Sequence, residues 1–297
     1  MKPASFIFVK RSILEHKYLL SFAAIYYKEP AFKVSGFDFD EESFWAFGEK
    51  GKEFYYKLPF RKELITSKAF SKAGWYIIRH SNDYCFISCG PNGQNGNGGH
   101  AHNDKLSFEL MLNGQDIILD PGTYMYTPYP KIRNKFRSAK YHNTIVIDGY
   151  EQNKIPKKDM FSLLERAKIK EASLKEIDNN IVFQGEIHYA GIEHKRIITF
   201  GKKSGDFIIQ DIVLCAKSLS GKVTFHLAPN LSKENIRIFI NKMKNNSTLI
   251  ELDSFHLEEG KYYYSPEYGV KKNAECLFAN IILDEKPEPI ITRIVKL

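Results

Sequence analysis

The spacing of apolar residues changes once along the chain, near Ala69. Before that point it is helical. Ser12 followed by Glu15 fits a capping box, and Ile13, Leu14, Tyr18, Leu19 and Phe22 recur at near-helical intervals, which predicts a helix there. A second, short helix is predicted from an Asp40 cap through Phe44, Trp45 and Phe47 to Gly48 or Gly51. The connector "KEPAFKVSGFDFD" separates the two. Beyond Ala69 the period is two. "WYIIRH-SND-YCFISCG", "KLSFELML-NG-QDIILD", "NTIVIDG", "NNIVFQGEIHYA", "HKRIITFG", "GDFIIQDIVLC", "KVTFHLA" and "ECLFANIIL" read as short strands divided by turns, several of them glycine-bearing. The fold class this predicts is mainly β, an antiparallel β-sandwich or supersandwich behind a short helical segment.

One hairpin can be registered from its turn. With Asn113-Gly114 as a two-residue loop, Leu112 pairs with Gln115 and Ser107 is expected opposite Asp120. One face then carries Lys105, Ser107, Glu109, Asp116 and Asp120, and the other carries Leu106, Phe108, Leu110, Ile117 and Leu119. The first face is expected to be polar surface, the second core.

Composition adds a charge argument. The 297 residues can bury a sizeable core. Lys and Arg number 43 against 35 Asp and Glu, a formal charge of +8. That balance suits nucleic acid, an anionic membrane or an acidic polysaccharide. Lys131, Arg133, Lys135, Arg137 and Lys140 concentrate it in "KIRNKFRSAKYHNTIVIDG", with no acidic residue among them. The four cysteines lack the paired spacing of a zinc ribbon and are too sparse for a disulfide framework, so ordinary buried thiols are expected. Charged residues interrupt the N-terminal apolar run before any cleavage-like site, and no stretch reaches the roughly 18 apolar residues of a membrane span.

The candidate chemistry centres on "GNGGHAHNDKLSFEL", residues 96 to 110. His100 and His102 lie at i and i+2, which in extended backbone projects them to one side. Asp120 closes an adjacent strand and His142 opens a later one. Two imidazoles and a carboxylate from strand ends can hold zinc or a similar divalent ion. They can equally supply a base or a structural turn, and Asn103 and Asp104 can cap the entry to the strand. An extended chain would carry His102 about 16 Å from Ser107. The glycine-rich entry must therefore curl back if His102 is to share an ion with Asp120.

The combined stretch "GGHAHNDKLSFEL…NGQDIILDPGTY…FRSAKYHNTIVIDG" resembles the C-terminal half of the heparinase II/III-like polysaccharide lyases, over roughly residues 40 to 297. The resemblance implies a helical segment and linker over residues 1–62, as the end of a truncated helical toroid, and a β-sandwich over 63–297. It implies that His100 faces the sugar as the catalytic residue. His102, Asp120 and His142 would hold a structural divalent metal, zinc by family pattern. Arg137, Arg133 and Asn103 are the expected substrate-binding residues, and the expected partner is an anionic, uronate-containing polysaccharide, neither nucleic acid nor a membrane interior. It also implies a periplasmic or secreted setting.

Such lyases place an α/α toroid before the sandwich, and it supplies the tyrosine acid/base and the group that neutralises the uronate carboxylate. Tyr18, Tyr26, Tyr27, Tyr55 and Tyr56 lie too close to the sandwich to match that tyrosine. The expectation is thus half of a cleft, with weak or no turnover by this chain alone. Two other classes compete. A non-catalytic glycan-binding sandwich would use the basic run without chemistry. A metallo-hydrolase is suggested by the start of a His-x-His-x-Asp-His signature, but Lys105 stands where its last histidine should be.

Overall fold

The computed structural model describes residues 16–33, 38–60, 66–157, 159–229, 231, 236–243, 252–254, 256–286 and 288–296. The chain divides into two units, Met1–Ile65 and Thr66–Leu297.

In the first unit, α1 (Tyr18–Tyr26) and α2 (Glu41–Lys57) bury Ala24, Ile25 and Tyr55 against Phe39, Phe47 and Phe54. Ser12 to Glu15, where the first helix was expected to begin, lie outside the described residues. Asp40 caps α2 as expected, its carboxylate accepting from the Glu42 amide at 3.2 Å. The helix does not stop at Gly48 or Gly51. Gly48 adopts φ 61, ψ −160 and bends the helix, which then runs on to Lys57.

The second unit begins with an antiparallel meander of five strands: β1 (Lys68–Phe70), β2 (Trp75–His80), β3 (Asp83–Ser88), β4 (Ser107–Leu112) and β5 (Gln115–Ile118). A short helix, α3 (Pro130–Phe136), and β6 (Ile145–Ile147) follow. Then come β7 (Lys168–Ile177), β8 (Asn180–Tyr189), β9 (Ile192–Gly201), β10 (Phe207–Cys215), β11 (Leu219–His226), β12 (Ile236–Met243), β13 (Leu252–Ser254), β14 (Glu258–Glu267), β15 (Val270–Leu283) and β16 (Ile290–Lys296). A seven-stranded sheet has the order β13-β12-β16-β10-β9-β8-β7, and a four-stranded sheet the order β14-β15-β11-β6. A bridge between Ile118 and Leu227 joins the first sheet to the four-stranded one.

The core lies between these sheets. Phe108 of β4 packs on Phe207 of the seven-stranded sheet and Phe225 of the four-stranded sheet, with ring centroids 5.7 and 6.2 Å apart. Tyr76 meets Phe183 at 5.0 Å. Along β8, Ile181, Phe183, Gly185, Ile187 and Tyr189 are buried in strict alternation, so this antiparallel β-sandwich follows from the period-two pattern. All four cysteines are buried free thiols.

The registered hairpin needs a correction. Asn113 (φ 49) and Gly114 (φ 78) form the expected turn, and Leu112 pairs with Gln115. A bulge between Leu110 and Met111 then shifts the register by one, so that Leu110 faces Ile118 and Ser107 is not opposite Asp120. Ile117 and Ile118 are consequently both buried, and the supposed polar face is not a surface, since Lys105 and Ser107 are buried as well.

Charge also enters the core deliberately. Arg196 and Asp211 are directly paired across β9 and β10, and both are fully buried. The guanidinium donates to both carboxylate oxygens, Nε to Oδ1 at 2.7 Å and Nη2 to Oδ2 at 2.9 Å. Its Nη1 donates to the carbonyls of Leu106 and Asn143, each at 2.6 Å, and His194 adds a 2.7 Å bond to Asp211. Burial alone would raise the Asp211 carboxyl, but Arg196 and His194 hold it down at about 2.

Arg196→Met leaves Asp211 buried without its countercharge, and a loss of about 3–5 kcal/mol is expected in guanidinium unfolding. The Arg196→Met/Asp211→Leu pair should recover much of it; a single variant as stable as the parent would contradict the clamp. Because the folded carboxyl lies below its ordinary value of 3.8, its contribution is full above that pH and is lost as pH falls toward about 2. Thermal midpoints should therefore drop more between pH 4 and 2 for the parent than for the double variant, to be read by scanning calorimetry.

Candidate functional site

The loop before β4 and the segment before β6 meet because their backbones are held from below. Leu106 adopts φ +65 and is fully buried, and the Ser107 amide donates to the Asp104 carbonyl at 2.9 Å. The required curl thus comes from Asp104–Ser107, with a leucine in the left-handed region, and not from the glycines ahead of it. The glycines do other work. Gly98 (φ +62) sits where a Cβ would come 2.6 Å from the Leu163 carbonyl, so the run can lie flat on residues 161–165. The Leu163 and Glu165 amides donate to the Asn97 and Gly96 carbonyls there.

Asn143 fixes the other side. Its amide nitrogen Nδ2 donates to the carbonyls of Phe108 and Leu119 at 2.9 and 3.0 Å, and its Oδ1 accepts from the His226 amide at 2.8 Å. One buried side chain therefore joins β4, the end of β5 and β11, and it sets His142 beside Asp120.

His102, Asp120 and His142 are brought together. His142 Nδ1 and Asp120 Oδ2 are 2.6 Å apart, and the rings of His102 and His142 have centroids 5.2 Å apart. Burial, then the neighbouring His142, push the His102 imidazole down to about 3, so it is neutral at pH 7. Burial would also lower His142, but the charge and hydrogen bond of Asp120 outweigh it and its pKa rises. Asp120 responds in the opposite sense: burial would raise it, whereas His142, His102 and the Gly122 amide hold it below the ordinary carboxylate range. The three groups line a cavity of ≈ 90 Å³ together with Asp104 and Glu109. Glu109 is pushed up to about 7, first by burial and then by Asp120 and Asp116.

The donor set can be tested against a divalent ion. His142 Nε2 is buried with no hydrogen-bond partner, while Nδ1 is bonded to a carboxylate. That is the arrangement of a metal-binding histidine oriented by its second nitrogen. A neutral His102 and an ionised Asp120 complete a nitrogen and oxygen set that suits zinc. Asp120 is engaged with His142 Nδ1, however, and among the described residues the trio whose ligand atoms all lie within 4.8 Å is a different one, Glu186, His188 and Glu193 on β8 and β9.

His100 has a separate setting. It is exposed on the wall of an open cleft of ≈ 530 Å³ that also reaches His102, Asp104 and Asp120. Its ring stands edge-on to Tyr126 and Phe161, at 5.6 and 6.0 Å.

The three expected sugar contacts are all buried and bonded within the protein. Arg137 is fully buried, and its guanidinium donates to Asn134 Oδ1 and to the carbonyls of Asp159, Met160 and Ser162 at 3.0–3.3 Å. Arg133 is fully buried over the Tyr126 ring at 4.3 Å, with Nη1 3.3 Å from His102 Nε2 and Nη2 donating to the Gly99 carbonyl. Asn103 is fully buried and spends its Nδ2 on Glu151 and the Asn153 carbonyl at 2.7 and 2.8 Å. Each is a staple within the protein, because a basic run in the sequence does not say which of its members point inward. Arg196, Asp211, Asn143 and Glu109 were not singled out from the sequence. Arg196 and Asp211 carried a usable signal, being charges at the inward parity of strands whose neighbours are Ile198, Phe200, Phe207 and Ile209.

Comparison with known proteins places this architecture. A heparin-sulfate lyase of Pedobacter heparinus is 25% identical over 228 residues, covering 71% of this chain and 32% of the relative. A heparin-sulfate lyase of Bacteroides stercoris is 25% identical over 167 residues, 54% of this chain and 22% of the relative. Among solved structures, a heparan sulfate lyase of Pedobacter heparinus superposes with a TM-score of 0.66 at 17% identity, over 95% of this chain and 42% of that one. A heparinase III gives 0.62 at 18% identity, over 85% and 40%. The chain thus spans less than half the length of these relatives. The family described as heparinase II/III-like, C-terminal, matches residues 63–285, and the chain belongs to it.

Proposed function

We propose that this chain forms one wall of a polysaccharide lyase site that acts on uronate-containing anionic glycans by β-elimination. The observation that carries the reading is the exposed His100 imidazole on an open polar cleft in a chain of this family. β-Elimination removes the weakly acidic proton α to the uronate carboxylate. A site must neutralise that carboxylate, supply a base and protonate the leaving oxygen. The His100 imidazole offers a single proton-transfer site. It cannot do all three; Arg133 and Arg137 are committed to internal partners, and Lys105, which lines the same cleft, spends its ammonium on the Gly90 carbonyl and Asn92. The carboxylate-neutralising group and a second acid/base must therefore come from elsewhere. A periplasmic or secreted setting goes with such a substrate; no described helix is long and apolar enough to cross a membrane.

His102, Asp120 and His142 are proposed to hold zinc or a similar divalent ion as a structural element of the cleft. When bound, the ion would take the lone pair that His142 Nε2 offers to no other group. The protein's own contribution is to keep His102 neutral and Asp120 charged, and to fix the His142 ring through Nδ1.

Incubated with heparan sulfate, heparin or alginate, the 297-residue chain should give little unsaturated product, followed by ultraviolet absorbance. Whatever turnover it shows should fall by about 10²–10⁴-fold in His100→Ala, with the unfolding midpoint unchanged. Efficient turnover by the parent, or undiminished turnover by the variant, contradicts the assignment. His102→Ala and His142→Ala should instead lower bound zinc, measured by elemental analysis after dialysis, together with thermal stability. Equal zinc in parent and variants contradicts the ion's placement.

A further inference from the structure

Beside His100 lies a feature that the lyase reading leaves unused. Tyr126, Phe161 and Tyr268 come from three separate segments and lie nearly parallel. Tyr126 is 5.9 Å from Phe161 at an interplanar angle of 15°, and 5.9 Å from Tyr268 at 16°. Phe161 is 44% exposed and Tyr268 59% exposed, so two large rings are kept at the surface beside a third.

Each ring is held in place from behind. Tyr126 lies against the buried guanidinium of Arg133 at 4.3 Å. Phe161 sits within the segment whose carbonyls at Asp159, Met160 and Ser162 are gathered by buried Arg137. Tyr268 stands in the tight turn between β14 and β15, and that turn is tied to the Tyr126 segment by the Gly269 amide donating to the Tyr124 carbonyl at 2.8 Å. Two buried arginines thus hold the segments that carry Tyr126 and Phe161, and the three rings form one contiguous aromatic surface beside the cleft.

We propose that Tyr126, Phe161 and Tyr268 form a stacking platform for one pyranose ring of an anionic polysaccharide, the sugar adjoining the one at His100. Aromatic faces are electron-rich and attract the polarised C–H bonds on the flat face of a sugar. The rings adjoin the cleft through the edge-on contacts of His100 with Tyr126 and Phe161. The basic run of Lys131, Lys135 and Lys140 follows Tyr126 in the chain, and the net charge of +8 favours an acidic over a neutral glycan. The proposal rests on the reading of this chain as a glycan-acting wall, and it adds where a second sugar sits.

The test is binding of a size-defined heparan sulfate hexasaccharide to the 297-residue chain by isothermal titration calorimetry, with an uncharged dextran oligosaccharide of the same length as control. Tyr268→Ala and Phe161→Ala should each weaken hexasaccharide binding by about 5–20-fold, in line with loss of one ring face. Tyr268→Trp should bind like the parent, and Tyr268→Leu should bind like Tyr268→Ala, because a flat face and not mere apolarity is required. Unfolding midpoints of the Tyr268 variants should match the parent, since that ring is largely exposed. Parent-like binding by both alanine variants, or rescue by leucine, overturns the platform while leaving the lyase reading intact. Failure of the parent itself to bind the hexasaccharide in preference to dextran overturns both.

Discussion

The buried guanidinium of Arg196 is the constraint on which the rest of the sandwich depends. It neutralises Asp211 inside the seven-stranded sheet and at the same time caps the carbonyls of Leu106 and Asn143, which belong to the two segments that carry the histidines. A carbonyl turned into a core without a donor is costly, so these segments can pack inward only while Arg196 is there to receive them. The strained φ of Leu106 is tolerated for the same reason: its side chain is locked against Gly185, where any Cβ would come within 2.7 Å of it. Sheet, loop and site are therefore one electrostatic unit.

Around that unit, buried polar groups do the positioning, and His100 is left exposed. Asn143, Asn103, Arg133 and Arg137 make internal bonds, while His100 keeps an open face. This division explains why residues of similar sequence character have different fates. A guanidinium with five donors is well suited to gathering several carbonyls from an irregular segment, which a lysine could not do with the same geometry.

Much of the fold was legible because antiparallel strands with one buried face write their period into the sequence. Every strand expected from alternation is present, and the Asn113-Gly114 turn has the positive φ values it needs. What escaped has physical reasons. β7 alternates weakly because it is an edge strand with charged residues on both faces, and β14 is masked by three consecutive tyrosines. The bulge at Ile117 in β5 turns on local backbone geometry that no side-chain pattern announces. In the site, the meeting of His102, Asp120 and His142 was legible from strand ends. The inward direction of Arg133 and Arg137 was not, since a helix of seven residues and the turn after it can face either way.

The Arg137 clamp changes what the Phe-Arg-Ser motif reports. Its guanidinium never meets solvent, yet the ring of Phe161 stands where it does because three neighbouring carbonyls end on that guanidinium. A chain that kept this arginine and changed every exposed side chain of the loop would fold the same loop and carry the same motif. The motif is thus a signature of an assembled loop, and specificity among relatives is to be sought in the side chains which that loop exposes.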